Sequence, residues 1–174
     1  MQTEDLVQQD RKTMAGLAGK YLTFRLGGEG FGLKILKVQE IIGMQEITSI
    51  PRTPPFVRGV INLRGKVIPV IDLRLRFDME PAEVSRKTCI IVVQVSRQAV
   101  DVVMGIVVDE VSEVLEIAGT EIEPAPAFGS RIDTDFILGM AKAEDAVKIL
   151  LDLDCVLTDQ ELAEITDDEL EPAV

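Results

Sequence analysis

Glu40 and Glu110 are the acids best placed for chemistry, because they stand at matching points of a short repeat, Val38-Gln39-Glu40-Ile41 against Val108-Asp109-Glu110-Val111. Paired carboxylates can serve acid–base work at a glycosidic bond, but such sites have aromatic sugar platforms. This chain has no Trp and one Tyr. It also has no histidine, which removes the commonest general base and metal ligand. Ser49, Ser85, Ser96, Ser112 and Ser130 lie in no G-x-S-x-G setting. Cys89 and Cys155 are far apart, each in an apolar run, and read as reduced core thiols rather than a disulfide, a zinc site or a redox pair. The glycines of residues 27 to 32 do not make a phosphate loop, since Leu33 stands where the third glycine would be and both flanks read as strands. The expectation is a protein that is not an enzyme, with no catalytic residue, cofactor or metal. Glu40 and Glu110 then read as structural acids at strand or turn ends.

Charge narrows the partners. The formal net charge is -12, and from Asp152 onward there are nine acids and no Lys or Arg. Residues 52 to 76 form the opposite extreme: Arg52, Arg58, Arg64, Lys66, Arg74 and Arg76 against Asp72 alone. This basic patch has few aromatic stacking partners, because aromatics are 4% of the chain, so no nucleic acid is expected to bind. The first twenty residues carry acids and no apolar core, which excludes a signal peptide and a membrane span. A cytoplasmic protein without direct membrane insertion is expected.

The elements that position these residues are short runs of Val, Ile and Leu, which favour strands. YLTFRL and FGLKIL flank a glycine turn as a hairpin, and further strands are expected at 59–63, 66–71, 89–95, 99–108, 135–141 and 146–151. Phe56 to Val60 matches Phe136 to Met140, and Val67 to Leu73 matches Val147 to Leu153, both at an offset of 80. The 38–41 match has an offset of 70, so one insertion of ten around EPAPAFGS accounts for the difference. Two similar β halves, about 20–77 and 88–156, follow, each closing into a barrel to remove its edges. Pro69 fits only an edge or a bulge. Asp72 and Asp152, each ending a strand, read as caps of a helical turn. Thr158 and Glu161 form a capping box, with Leu157 and Leu162 as its hydrophobic staple. Residues 1–19 read as a flexible N-terminus and 158–174 as a capped helix with an acidic tail.

Three stretches in order, YLTFRLGGEGFGLKILKVQEI, TPPFVRGVINLRGKVIPVIDLR and MGIVVDEVSEVL, closely resemble the CheW family of bacterial chemotaxis coupling proteins, across residues 20 to 157. The N-L-R-G turn followed by I-D-L-R is the most specific element. The resemblance implies an all-β fold of two SH3-like five-stranded barrels with a short C-terminal helix. It implies a non-enzymatic adaptor between the cytoplasmic tips of methyl-accepting chemoreceptors and the regulatory domain of the histidine autokinase CheA, recruited to membrane arrays through these partners. By position, Val38, Glu40, Ile41 and Gly59 are implied as kinase-binding. Asn62, Arg64, Ile90, Gly105 and Val111 are implied as receptor-binding, in or beside a groove between the barrels. Plain packing is the competing reading for the apolar positions and the glycines, and a solvated turn for Arg64. The alternatives to this function are the same scaffold in another sensory array, or a barrel that binds a small ligand.

Overall fold

The computed structural model describes residues 16–97, 99–126, 135–143, 145–158, 160–163 and 165. The first fifteen residues, Gln98, residues 127–134 (which include half of the EPAPAFGS stretch), Glu144, Asp159, Glu164 and the tail past Ile165 lie outside the described residues. The strands are β1 (Gly19–Leu26), β2 (Glu29–Lys34), β3 (Val38–Gly43), β4 (Val57–Leu63), β5 (Lys66–Asp72), β6 (Cys89–Arg97), β7 (Val100–Val108), β8 (Glu110–Ile117), β9 (Ile122–Glu123), β10 (Ile137–Ala143) and β11 (Ala146–Leu151). A helical turn, α1 (Leu73–Arg76), follows β5.

The repeat is real at the level of register. Val57 faces Ile71 and Leu63 faces Lys66 in the β4–β5 hairpin. Ile137 faces Leu151 and Ala143 faces Ala146 in the β10–β11 hairpin, 80 residues on. Both carry an irregularity at the same point, before Gly59 and before Gly139. In both, an aspartate N–H at the end of the second strand bonds back to a phenylalanine carbonyl: Asp72 to Phe56 and Asp152 to Phe136, each at 2.7 Å.

The barrels, however, do not follow the boundary between the repeats. One sheet has the order β3-β6-β7-β5-β4, and the other β8-β1-β2-β11-β10-β9. Residues 38–108 therefore build a central barrel, and the chain on either side of it builds a terminal barrel. The expected halves, 20–77 and 88–156, each contribute one hairpin to the other barrel. The cause is strand pairing: β2 pairs in parallel with β11, and β5 with β7, so each repeat completes its sheet with its neighbour's first hairpin. Such parallel partners cannot be joined by a tight turn, so the sheet must draw on strands distant in sequence.

Each barrel is sealed by a brief pairing. Thr48 and Val60 exchange two backbone hydrogen bonds of 2.9 Å in the central barrel. The short β9 plays this part for β10, with Glu123 opposite Met140. Pro69 corrects the edge-or-bulge expectation, because β5 lies between β4 and β7. Val60, opposite Pro69, turns its N–H and C=O to Thr48, and the pairing with β7 begins one residue later at Val70. The missing proline N–H is thus required by neither neighbour.

Side-chain alternation divides the core into three. Ile61, Ile68, Val70, Ile90, Val92 and Val107 fill the central barrel, and Tyr21, Ile117, Ile122, Ala141 and Leu150 the terminal one. The largest cluster lies between the barrels and includes Phe24, Leu33, Ile71, Ile91, Val93, Met104, Ile106 and Leu151. This explains why CIIVVQV and VDVVMGIVV are apolar at odd and even positions alike: one face fills a barrel and the other packs on the second barrel. Phe24, Phe31, Phe77 and Phe136 stack in a row, at ring separations of 5.7, 6.1 and 4.9 Å.

The predicted caps are present. Asp72 accepts from the N–H groups of Arg74 and Leu75, and Asp152 from that of Asp154. Thr158 Oγ1 accepts the Glu161 N–H at 3.1 Å, and Glu161 Oε1 accepts the Thr158 N–H at 2.8 Å. Leu157 and Leu162 are both buried in the inter-barrel cluster beneath this helix start.

Candidate partner-binding site

The implied residues fall in distinct places. Arg64 and Gly65 are the two central residues of the β4–β5 turn, with φ of 52° and 85°. Two positive φ values define the tight hairpin turn that matches strand twist, and glycine is the natural second residue. Asn62 fixes the turn, its Oδ1 accepting the Gly65 N–H at 2.8 Å. The arginine then reaches to β3, where Nη1 and Nη2 donate to the two Glu40 oxygens at 2.8 and 2.6 Å. Arg64 thus meets an acid of its own chain. These hydrogen bonds hold the guanidinium pKa above its ordinary value. The side chain remains 75% exposed, so its remaining donors face solvent.

On the opposite face of β3 from Glu40, Ile41 is 45% exposed, and Val38 is half-buried against the inter-barrel cluster. One implied kinase residue, Glu40, and one implied receptor residue, Arg64, are therefore parts of one feature. Glu40 and Glu110 are not equivalent in the fold. Glu40 follows the register shift in β3, whereas Glu110 precedes the one that β8 makes against β1.

The other implied residues are internal. Ile90 is fully buried in the central barrel. Gly105 lies against it: a Cβ there would stand 2.7 Å from Ile90 Cγ2. Gly59, at φ 140°, would place a Cβ 2.0 Å from the Thr48 carbonyl oxygen, so it permits the seam of the barrel to close. Val111 pairs with Phe24 and is half-buried against the inter-barrel cluster. Ile90, Gly59 and Gly105 are therefore interior to the barrel that carries Arg64 and Ile41.

The basic patch is largely neutralised. Arg58 pairs with Asp72, Arg64 with Glu40, Arg74 with Asp109 and Arg76 with Glu161. Three of those four acids lie outside the 52–76 window, so the sequence window overstated the local charge. Among the described residues, Arg52 and Lys66 remain without an ion pair. Sequence reasoning missed two exposed apolar features. Leu36, on the 3-10 turn Ile35–Lys37, is 94% exposed, and Val67 and Val147, at the repeat offset of 80, are 57% and 54% exposed. The repeat itself carried a signal for the valines; nothing in GLKILK marked Leu36.

Cys89 and Cys155 are free and half-buried, and burial raises both thiol pKa values. Among the described residues no group of three or more His, Cys, Asp or Glu could hold a metal. No described helix is long and apolar enough to cross a membrane.

The fold and these outward-facing residues define a scaffold of two SH3-like barrels. The CheW-like domain model matches residues 20–161. The chain is 39% identical to the chemotaxis protein CheW of Klebsiella aerogenes over 156 residues, covering 87% of this chain and 92% of that one. It is 35% identical to the chemotaxis protein CheW of Bacillus subtilis over 139 residues, covering 79% and 86%. The crystal structure of the scaffolding protein TtCheW from Thermoanaerobacter tengcongensis superposes with a TM-score of 0.73 at 39% identity, covering 83% of this chain and 95% of that one. The chain belongs to the CheW family, and its role is that of a chemotaxis adaptor.

Proposed function

We propose that this protein is a non-catalytic adaptor that couples the cytoplasmic tips of chemoreceptors to the histidine autokinase CheA, and that it is held at membrane receptor arrays by those partners. The observation that carries the reading is the Arg64–Glu40 pair: a directional charged feature, exposed at the β4–β5 turn of the central barrel. Arginine in such a setting is a frequent interface anchor. The filled barrel interiors speak against the small-ligand alternative, since apolar side chains occupy both.

The mechanism has no bond-making step. Binding receptor on one surface and kinase on another links their conformational equilibria, provided that at least one interface differs in affinity between signalling states. Modest interfaces suffice in a lattice, where effective concentration is high. The test is reconstitution of receptor-containing membranes with CheA and this chain, followed by kinase autophosphorylation. Receptor-controlled activity that requires the chain supports coupling; activity that is the same without it overturns the proposal.

A further inference from the structure

The chain passes between the barrels twice, and each passage is pinned by an ion pair. Asp109 is the residue before β8. Its Oδ1 accepts Arg74 Nε at 2.8 Å, and its Oδ2 accepts Arg74 Nη2 at 2.5 Å and the Gly27 N–H at 2.8 Å. Arg74 belongs to the central barrel and Gly27 to the β1–β2 turn of the terminal barrel. Lys37 is the residue before β3. Its Nζ donates to Asp154 Oδ1 and Oδ2 at 3.1 and 2.9 Å. Asp154 follows β11 in the terminal barrel, and its Oδ1 also accepts the N–H of Ser96, on β6 of the central barrel, at 2.8 Å.

The two sites are alike in layout, although the repeat aligns Asp109 with Gln39 rather than with Lys37. Arg74 and Asp154 are 80 residues apart, the offset that relates β4–β5 to β10–β11. Gly27 and Ser96 each lie at the turn end of the first strand of a hairpin. Lys37 and Asp109 each close a crossover. The charges are reversed: cation in the turn and acid at the crossover in one site, acid in the turn and cation at the crossover in the other. Asp154 takes an N–H bond from the opposite barrel and Asp109, at the crossover, takes one from the terminal barrel while holding Arg74 of the central one, and all four side chains are between 18% and 30% exposed.

An apolar cluster holds two bodies together without fixing their angle well, because burial is non-directional. Charge-assisted hydrogen bonds are directional. Reversal adds selectivity: a mismatched docking of these similar repeats would bring Arg74 to Lys37 and Asp109 to Asp154, which repel. We propose that Arg74–Asp109 and Lys37–Asp154 are matched clamps whose four residues position the barrels at both crossovers, and that the adaptor transmits between its partners through the angle they fix. The second clause rests on the coupling function proposed above; the first does not.

The test places nitroxide labels at Val67 and Val147, one exposed site on each barrel, in the full chain with Cys89 and Cys155 replaced by alanine, and measures the distance between them by pulsed electron resonance. The unmodified clamps are expected to give one narrow distance. Asp109→Asn, which retains an acceptor for Gly27, and the milder Lys37→Gln are each expected to lose it, while circular dichroism stays native. Arg74→Asp combined with Asp109→Arg is expected to recover the narrow distance, since the other site already works in that polarity. An unchanged distance distribution in both single variants overturns the clamps. Widened distances with receptor control of the kinase intact overturn the transmission clause alone. If the unmodified chain fails to couple at all, the distances still decide the clamps.

Discussion

Arg64 bonds Glu40 through both terminal guanidinium nitrogens, joining the β4–β5 turn to β3, the two strands at opposite ends of the order of the five-stranded sheet. Only the Thr48–Val60 bridge otherwise links these ends among the described pairings. The pair is solvent-exposed and therefore screened, so its main effect is to orient the arginine rather than to stabilise the fold.

Arg64→Ala is accordingly expected to leave the melting temperature near that of the wild type and to weaken co-sedimentation with receptor tips about tenfold, as for loss of a moderate interface anchor. Glu40→Ala, which frees the arginine from its orientation, is expected to weaken it less. Sedimentation at two salt concentrations, with a thermal melt of each variant, checks both. Undiminished binding by Arg64→Ala would remove Arg64 from the site.

Gly59→Ala is expected to mimic a binding-site variant while acting on the fold. Its Cβ would lie inside contact distance of the Thr48 carbonyl carbon and oxygen, at a φ that L-residues rarely adopt. A cost of about 3 kcal/mol or more is expected, and partner binding should fall in step with the folded fraction. Ile90→Ala, which empties part of a close-packed barrel, belongs to the same class at about 2–5 kcal/mol. Urea midpoints measured beside binding separate these variants from Arg64→Ala, whose binding is expected to fall without a shift in midpoint.

The extent to which the sequence announced this protein follows from the range of each interaction. The first hairpin, the two aspartate caps and the Thr158–Glu161 box depend on residues a few positions apart, and all were legible. Membership of the barrels was not, since it depends on β2 meeting β11 and β5 meeting β7, pairings between segments that alternation alone cannot match. Strands β3 and β8 escaped for a different reason. Their exposed apolar and charged positions, such as Ile41 and Glu113, blur the alternation that marks a half-buried strand. The same distance effect hid the partners of the basic patch, because Glu40, Asp109 and Glu161 are 24, 35 and 85 residues from the arginines they meet.

Acid should unfold the protein partly through Asp109. The hydrogen bonds from Arg74 hold its carboxyl below the usual range, assisted by the Gly27 N–H and opposed by partial burial. A depressed folded pKa contributes stability that is fully present above the unfolded value of about 3.9 and is lost as pH falls through the folded value. Asp109→Asn is therefore expected to be less stable than wild type by a constant margin above about pH 5, with the margin shrinking on further acidification. Urea midpoints across the pH range check this. A margin that does not change with pH would mean that the carboxylate charge contributes nothing.

Asp72 and Asp152 occupy the same point of the repeat and cap the turn that follows, yet they should respond differently to loss of the carboxylate. Asp72 is buried and also binds Arg58 at 3.0 Å, besides accepting from two backbone N–H groups. Asp152 is half-buried, caps through one backbone N–H, and has only the weak Cys155 thiol in place of an arginine. Asp152→Ala is expected to cost about 1 kcal/mol, the ordinary effect of a lost cap. Asp72→Ala leaves a guanidinium and two N–H groups without their acceptor, and about 2–3 kcal/mol is expected, discounted because Arg58 retains access to water. Double replacement of Asp72 and Arg58 should recover part of this loss, whereas adding Arg58→Ala to Asp152→Ala should cost no less than the two changes apart. Equal destabilisation by the two aspartate variants would show that Arg58 adds nothing to the first cap.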